Sequence, residues 1–170
     1  LCSLCLPKFV KYDENNKPYF DHDGLKELSK FVVRPMNKVI DNNVYPVKET
    51  EISNVKHRPI GVGVQGLSDV FIKMKIPFDS KEARKLNKEI FETIYFAAIT
   101  ESNRLCMDDK YDRYPYFKGS PMSQGIFQFD MWGLKEDELS GRWDWETLKD
   151  TVKQFGVCNS LFTAQMPVAS

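Results

Sequence analysis

Apolar positions along the chain recur mostly at helical spacing, with short apolar runs between the helical stretches. Leu25, Leu28, Val32, Met36 and Val39 predict a first helix, started by Asp23 and kinked at Pro35. Asn42, Asn43 and Pro46 close it, and a loop is expected over Lys48 to Pro59. Val64, Leu67, Phe71 and Met74 predict a second helix that stops before Pro77. The strongest pattern is the third. Asp79 and Glu82 have capping-box spacing, and Leu86, Ile90, Ile94, Ala98 and Leu105 form one long apolar stripe, the mark of a packing element. Asp144 opens a last helix carrying Trp145, Leu148, Val152 and Phe155, with Gly156 at its stop.

The runs between these helices read differently. Leu1 to Val10 is short, apolar and bounded by Pro7, which suits a buried strand that ends early or a strand-to-loop passage, and a polar turn follows over Asp13 to Pro18. Tyr111 to Trp132 is a long aromatic loop with short strands expected at Ile126 to Phe129, and Val157 to Ala164 reads as a buried strand. Helices alternating with apolar strands favour the α/β class with parallel pairing. For the chain's length, however, the strands are too few for a complete sheet.

Composition narrows the functional classes. Among 170 residues, 24 Lys and Arg balance 24 Asp and Glu, and no basic run stands out, so a nucleic-acid polymer is not an expected partner. The longest apolar run, Ile94 to Ile99, falls far short of a membrane span. Four cysteines are too few for a disulfide scaffold, and no secretory signal is visible, which together suggest a reducing cytoplasm. The chain opens without Met and closes without a polar tail, so both ends read as cut from something continuous.

Several motifs could carry chemistry. Gly61-Val62-Gly63-Val64-Gln65-Gly66 matches the dinucleotide-binding glycine pattern, but Lys56-His57-Arg58-Pro59 stands where the hydrophobic strand of that motif belongs. Close glycine packing at the entry to the Val64 helix is the better reading. Cys2 and Cys5 have redox or zinc-knuckle spacing, yet they sit in a strand-like run. No second ligand pair is visible among Cys106, Cys158, His22 and His57. All four cysteines read as buried core residues, and neither histidine has an obvious partner. His57 lies between Lys56 and Arg58, a cluster read as solvated or loop-bracing. At the end, Pro167-Val168-Ala169-Ser170 follows a buried strand. Such a stretch offers backbone amides to a phosphate if a helix begins next, or else forms an ordinary strand-to-helix turn.

Taken in order, a set of strings carries a resemblance. They are Val33-Arg34, Asn37-Lys38-Val39-Ile40-Asp41, Tyr45-Pro46-Val47, His57 through Leu67, Leu86-Asn87-Lys88 and Ile90 through Tyr95. Gly119-Ser120-Pro121, Gln128 through Trp132, Trp143-Asp144-Trp145, Asn159-Ser160-Leu161 and Met166 through Ser170 complete the set. Together they resemble the large, catalytic subunit of class I ribonucleotide reductase of the eukaryotic and viral type, over essentially the whole chain.

The resemblance implies a fold and a function. Residues 1–170 would be an internal segment of that family's ten-stranded α/β barrel, helix-rich here, in a cytoplasmic enzyme that reduces ribonucleoside diphosphates by thiyl-radical chemistry. The implied partners are a radical-generating, metal-containing small subunit, a second large subunit, thioredoxin or glutaredoxin as reductant, and ATP and deoxynucleotide effectors. The thiyl and reducing cysteines would precede Leu1, so the segment itself would hold no catalytic residue, cofactor or metal. What carries over is a diphosphate cradle at Pro167, Ala169 and Ser170. Val168 replaces a threonine there, Gln165 a common proline, and Cys158 an arginine common before Asn-Ser-Leu. These departures motivate one alternative to the enzyme, a noncatalytic relative serving as a binding or structural protein; a free-standing Rossmann-type domain is a separate, remoter third reading.

Overall fold

The computed structural model describes residues 1–167. Its spine is one parallel pair of strands. β1 (Cys2–Cys5) lies beside β4 (Val62–Gln65), with Cys2 opposite Val62 and Cys5 opposite Gln65. Between them the chain makes a single-turn 3-10 helix at Leu6–Phe9, then an antiparallel hairpin of β2 (Val10–Tyr12) and β3 (Pro18–Phe20). Asp13 shapes the hairpin turn, its Oδ1 accepting from the Asn15 and Lys17 amides at 2.9 and 2.8 Å.

Helix α1 (His22–Asn42) follows directly, and its cap is Asp21, not Asp23: Asp21 Oδ1 accepts from the Gly24 amide at 2.8 Å. The helix runs through Pro35, which lies on the exposed face. Its buried line is Leu25, Ser29, Val33, Asn37 and Ile40, one step out of phase with the predicted stripe, so that Val39 is 64% exposed. Ser29 tolerates burial by donating to the Leu25 carbonyl at 2.7 Å.

The expected loop from Lys48 is instead α2 (Lys48–His57), which buries no side chain. Charge placement supports it: Glu49 and Glu51 occupy the first turn, and Lys56 and His57 the last, matching the helix dipole. Val64, assigned to a helix by its spacing, belongs to β4; α3 begins later and spans Leu67–Met74. The long helix α4 (Lys81–Met107) carries the predicted stripe fully buried, but its cap is one residue further on, with Ser80 Oγ accepting from the Ala83 amide at 3.0 Å.

The Tyr111 to Trp132 region forms no strand at Ile126 to Phe129. There the Phe127 amide donates to Asp130 Oδ2 at 2.7 Å and starts the one-turn α5 (Gln128–Met131). α6 (Trp145–Phe155) is capped by Asp144 and stopped by Gly156, as the spacing predicts. The expected strand at Val157 to Ala164 reduces to one bridge, Thr163 beside Val62. Its first half cannot pair, because the Cys158 and Asn159 amides both donate to Ser102 Oγ, at 3.1 and 3.2 Å.

Two apolar clusters fill the interior. One joins β1, the hairpin, β4 and α3 to the first half of α4, through Leu4, Leu25, Val62, Val70 and Ile90. The other wraps the aromatic region and α6 around the second half of α4, with Phe127, Phe129 and Trp145 in edge-to-face contact. No described helix is long and apolar enough to cross a membrane.

Candidate functional site

The stretch leading to Pro167 lies along the free edge of β4. Ile60 donates to Leu161 O at 3.0 Å, Val62 to Phe162 O at 2.9 Å, and Ala164 to Val62 O at 3.2 Å. Val62 therefore has a parallel neighbour on each side, Cys2 and Thr163. The glycines make this approach close. A Cβ on Gly61 would stand 2.8 Å from Ala164 Cβ, and one on Gly63 would stand 2.4 Å from the Ala164 carbonyl oxygen. Gly66 is different, since its φ of +76° sets the left-handed turn into α3. The glycine motif thus accommodates the chain's own backbone, in keeping with the packing read from sequence, though the helix it precedes starts at Leu67.

Upstream, the same stretch is pinned by buried polar groups. Asn37 Nδ2 donates to Asn159 Oδ1 at 3.0 Å, and Asn159 Nδ2 returns a bond to Asn37 Oδ1 at 2.9 Å. Asn159 Nδ2 also donates to the Arg58 carbonyl at 2.8 Å, while Ser102 Oγ stands 2.9 Å from Asn159 Oδ1. Arg58 closes the ring by donating to Asn37 Oδ1 at 3.0 Å and to Asp41 Oδ1 at 2.7 Å. Burial pushes the Asp41 carboxyl up, but the hydrogen bonds from Arg58 and Tyr111 outweigh it and hold Asp41 below its ordinary value. Low dielectric makes this network costly to break at any single member.

None of these anchors was singled out from sequence. One signal was available: Asn37 and Ser29 continue the Leu25 and Val33 line at helical spacing, which marks buried polar positions.

Of the predicted diphosphate-binding residues, Pro167 is exposed at the last described position. Ala169 and Ser170 lie outside the described residues, as does Val168. Gln165 and Thr163 line a cavity of about 570 Å³ whose other walls include Tyr95, Phe129, Trp132 and Trp145. Its floor is fixed by Glu92, which accepts from Trp145 Nε1 at 3.1 Å and from the Ser140 amide at 2.9 Å. Tyr95 accepts from the Gln128 amide at 3.1 Å, and burial pushes its phenol up to about 12.

The other candidates resolve as follows. Cys2 and Cys5 are half-buried thiols three positions apart on β1 and therefore face opposite sides. Among the described residues no three His, Cys, Asp or Glu side chains converge on a point that could hold a metal. His22 does have a partner, which the sequence did not reveal: Nε2 lies 3.3 Å from Glu89 Oε2. His57 stacks on Tyr116 with ring centroids 5.0 Å apart, a bracing contact at the end of α2.

A short parallel pair of strands, extended by the Thr163 bridge and packed with long helices, defines a segment of an α/β fold. The family described as "Ribonucleotide reductase, barrel domain" matches residues 1–170. The chain belongs to that family. It is 50% identical to the ribonucleoside-diphosphate reductase large subunit of Acanthamoeba polyphaga mimivirus over 170 residues, all of this chain and 19% of the relative. It is 50% identical to the large chain of Cryptosporidium parvum and 51% identical to the large subunit of Dictyostelium discoideum, covering all of itself and 20% of each. The chain therefore spans about a fifth of the length of these relatives. The fold class expected from the sequence, a partial α/β barrel rich in helix, holds.

Proposed function

We propose that residues 1–170 form an internal segment of the catalytic barrel of a ribonucleoside-diphosphate reductase large subunit. In this reading the segment contributes barrel wall and the start of a diphosphate cradle at Pro167, Ala169 and Ser170. The thiyl and reducing cysteines lie elsewhere in the subunit. The observation that carries the reading is identity of about half, spread over the full chain, to relatives that bear this name. The docking of the 160–164 stretch on β4 supports it further, because two anchors, Asn159 and the Gly63 contact, hold the chain that leads to Pro167.

The implied substrate is a ribonucleoside diphosphate. The implied partners are a radical-generating small subunit, a second large subunit, and thioredoxin or glutaredoxin, in the cytoplasm and under ATP and deoxynucleotide control. The test is turnover of ribonucleoside diphosphates by the full-length protein with its small subunit and a dithiol reductant. Deoxynucleotide formation is expected, and Ser170→Ala should raise KM about fivefold, the weight of one hydrogen bond of roughly 1 kcal/mol. Val168→Thr should lower KM by a similar factor, supplying the hydroxyl that the family resemblance implies at this position. Absence of turnover would favour the noncatalytic reading that Val168, Gln165 and Cys158 motivate.

A further inference from the structure

The cavity walled by Thr163 and Gln165 is not used by the proposed function. At about 570 Å³ it has the size of a small-molecule site, and Phe91, Tyr95, Phe129, Trp132 and Trp145 give it aromatic walls. Trp132 is 69% exposed, so the cavity opens to solvent on that side.

One acidic group in the lining has no cation to balance it. Glu92 is only 8% exposed, and its two oxygens each accept one hydrogen bond from a neutral donor, the Trp145 indole at 3.1 Å and the Ser140 amide at 2.9 Å. A carboxylate offers about four acceptor positions, so roughly two remain. Among the described residues no lysine, arginine or histidine lies within ion-pair distance of it; the basic groups around α4 pair with Glu89 and Glu101 instead. Lys88, one turn earlier on the same helix, also lines the cavity, but its ammonium donates to the Glu138 carbonyl. The lining sets that one lysine against two glutamates, Glu92 and Glu138, and is net negative.

A carboxylate held away from water is costly unless a cation or further hydrogen bonds compensate it. Aromatic rings beside it favour the same kind of occupant, because a cation is attracted to ring faces while an apolar body displaces water from them. Tyr95, one turn beyond Glu92, adds a donor. Its oxygen accepts from the Gln128 amide at 3.1 Å, and its hydroxyl hydrogen meets no acceptor among the described residues.

We propose that this cavity binds an organic cation, a flat aromatic ring system bearing a primary ammonium, with the ammonium on Glu92 and the ring among the aromatic walls. The net negative lining disfavours ligands that end in phosphate or carboxylate. Thr163 and Gln165 form one wall, so an occupant braces the stretch that runs to Pro167. The site does not depend on the activity proposed above.

The test titrates tryptamine, tryptophol and indole-3-acetate into the full-length protein by isothermal calorimetry. The three probes share an indole ring and differ in the group at the end of the side chain: ammonium, hydroxyl or carboxylate. Tryptamine should bind about tenfold more tightly than tryptophol, the preference expected of one charge-assisted hydrogen bond, and indole-3-acetate should bind most weakly. Glu92→Gln should bring tryptamine down to the level of tryptophol and leave tryptophol unchanged. Trp132→Ala, on the exposed wall, should weaken both. Equal affinity for the ammonium and the alcohol would overturn the proposal, as would tryptamine binding that survives Trp132→Ala undiminished. No binding of any probe at millimolar concentration would overturn it too, and is the result expected if another part of the subunit or a second copy fills the cavity. If Glu92→Gln does not fold, the ranking of the three probes and the loss in Trp132→Ala decide the matter.

Discussion

Asn37 and Asn159, 122 positions apart, exchange two side-chain hydrogen bonds of 3.0 and 2.9 Å in the core and thereby tie α1 to the stretch that runs to Pro167. Asn159→Ala leaves the Arg58 carbonyl without that donor and the Asn37 amide with only the Val33 carbonyl to donate to, at a cost of about 1–3 kcal/mol. The loss should be local. Hydrogen exchange at the Ile60 and Val62 amides, which donate into the 161–162 backbone, should accelerate more than exchange in α6. Uniform acceleration across the protein would argue against a local anchor.

Gly63→Ala should be worse than Gly61→Ala. At Gly63 the added carbon meets a backbone oxygen at 2.4 Å, whereas at Gly61 it meets the side chains of Leu1 and Ala164. Overpacking against backbone costs about 1–3 kcal/mol, and the strain falls on Ala164, three residues before Pro167. Thermal midpoints should rank wild type above Gly61→Ala above Gly63→Ala. Under the proposed function, Gly63→Ala in the full-length protein should raise KM for a ribonucleoside diphosphate.

Glu101 is wholly buried on α4 and accepts from Arg34 Nε at 2.6 Å and Arg104 Nη2 at 2.8 Å. Burial pushes its carboxyl up, but the hydrogen bonds from Arg104 and Arg34 reverse this and hold it below its ordinary value. The folded state then binds fewer protons than the unfolded one. The stabilisation is present above the ordinary carboxylate range and is lost as pH falls through the lowered value. Glu101→Gln should cost about 1–3 kcal/mol at neutral pH, moderated because both arginines reach solvent, and should flatten the acid limb of the stability curve.

His22 behaves in the opposite chemical sense but with the same direction of pH dependence. Burial lowers its imidazole and Arg142 lowers it further, against the pull of Glu89, Asp23 and Asp21. Nδ1 is buried without a hydrogen-bond partner. With the folded value below 6.5, the unfolded state takes up the proton first, so stability is complete above pH 6.5 and declines as acidification proceeds. Thermal midpoints at pH 7.5 and 5.5 should differ in wild type, and His22→Gln should narrow the gap.

The α4 stripe was legible because Leu86, Ile90, Ile94 and Ala98 present apolar side chains to the interior at helical spacing and Leu105 resumes the line beyond the buried polar turn at Glu101, Ser102 and Asn103. α1 was legible as a helix but not in its phase. Ser29 and Asn37 hold core positions through hydrogen bonds, so hydrophobicity alone selected Leu28 and Val39, which are exposed. α2 was missed because it buries nothing, leaving no periodicity to detect. β4 was missed because its four residues are too short a run for alternation to show and Val64 falls at helical spacing from Leu67 and Phe71. For the candidate site, the residues alone left Pro167 to Ser170 open between a phosphate-binding stretch and an ordinary turn, and the family resemblance chose the first. The groups that hold Asn159 in the stretch leading to Pro167 come from α1, α4 and Arg58, and no local pattern could have joined them.

Val62 receives Cys2 on one edge and Thr163 on the other, which places β4 at the centre of a pairing order that the ribosome does not follow. β1 emerges first and must wait for its partner, and β4 in turn waits for a stretch made about 5–20 s later at ordinary synthesis rates of roughly 5–20 residues per second. During that interval β4 offers an open apolar edge to any other extended chain. Pairings this distant in sequence also slow refolding. Mutations that weaken the 160–164 stretch should therefore lower soluble yield during synthesis before they alter the finished protein.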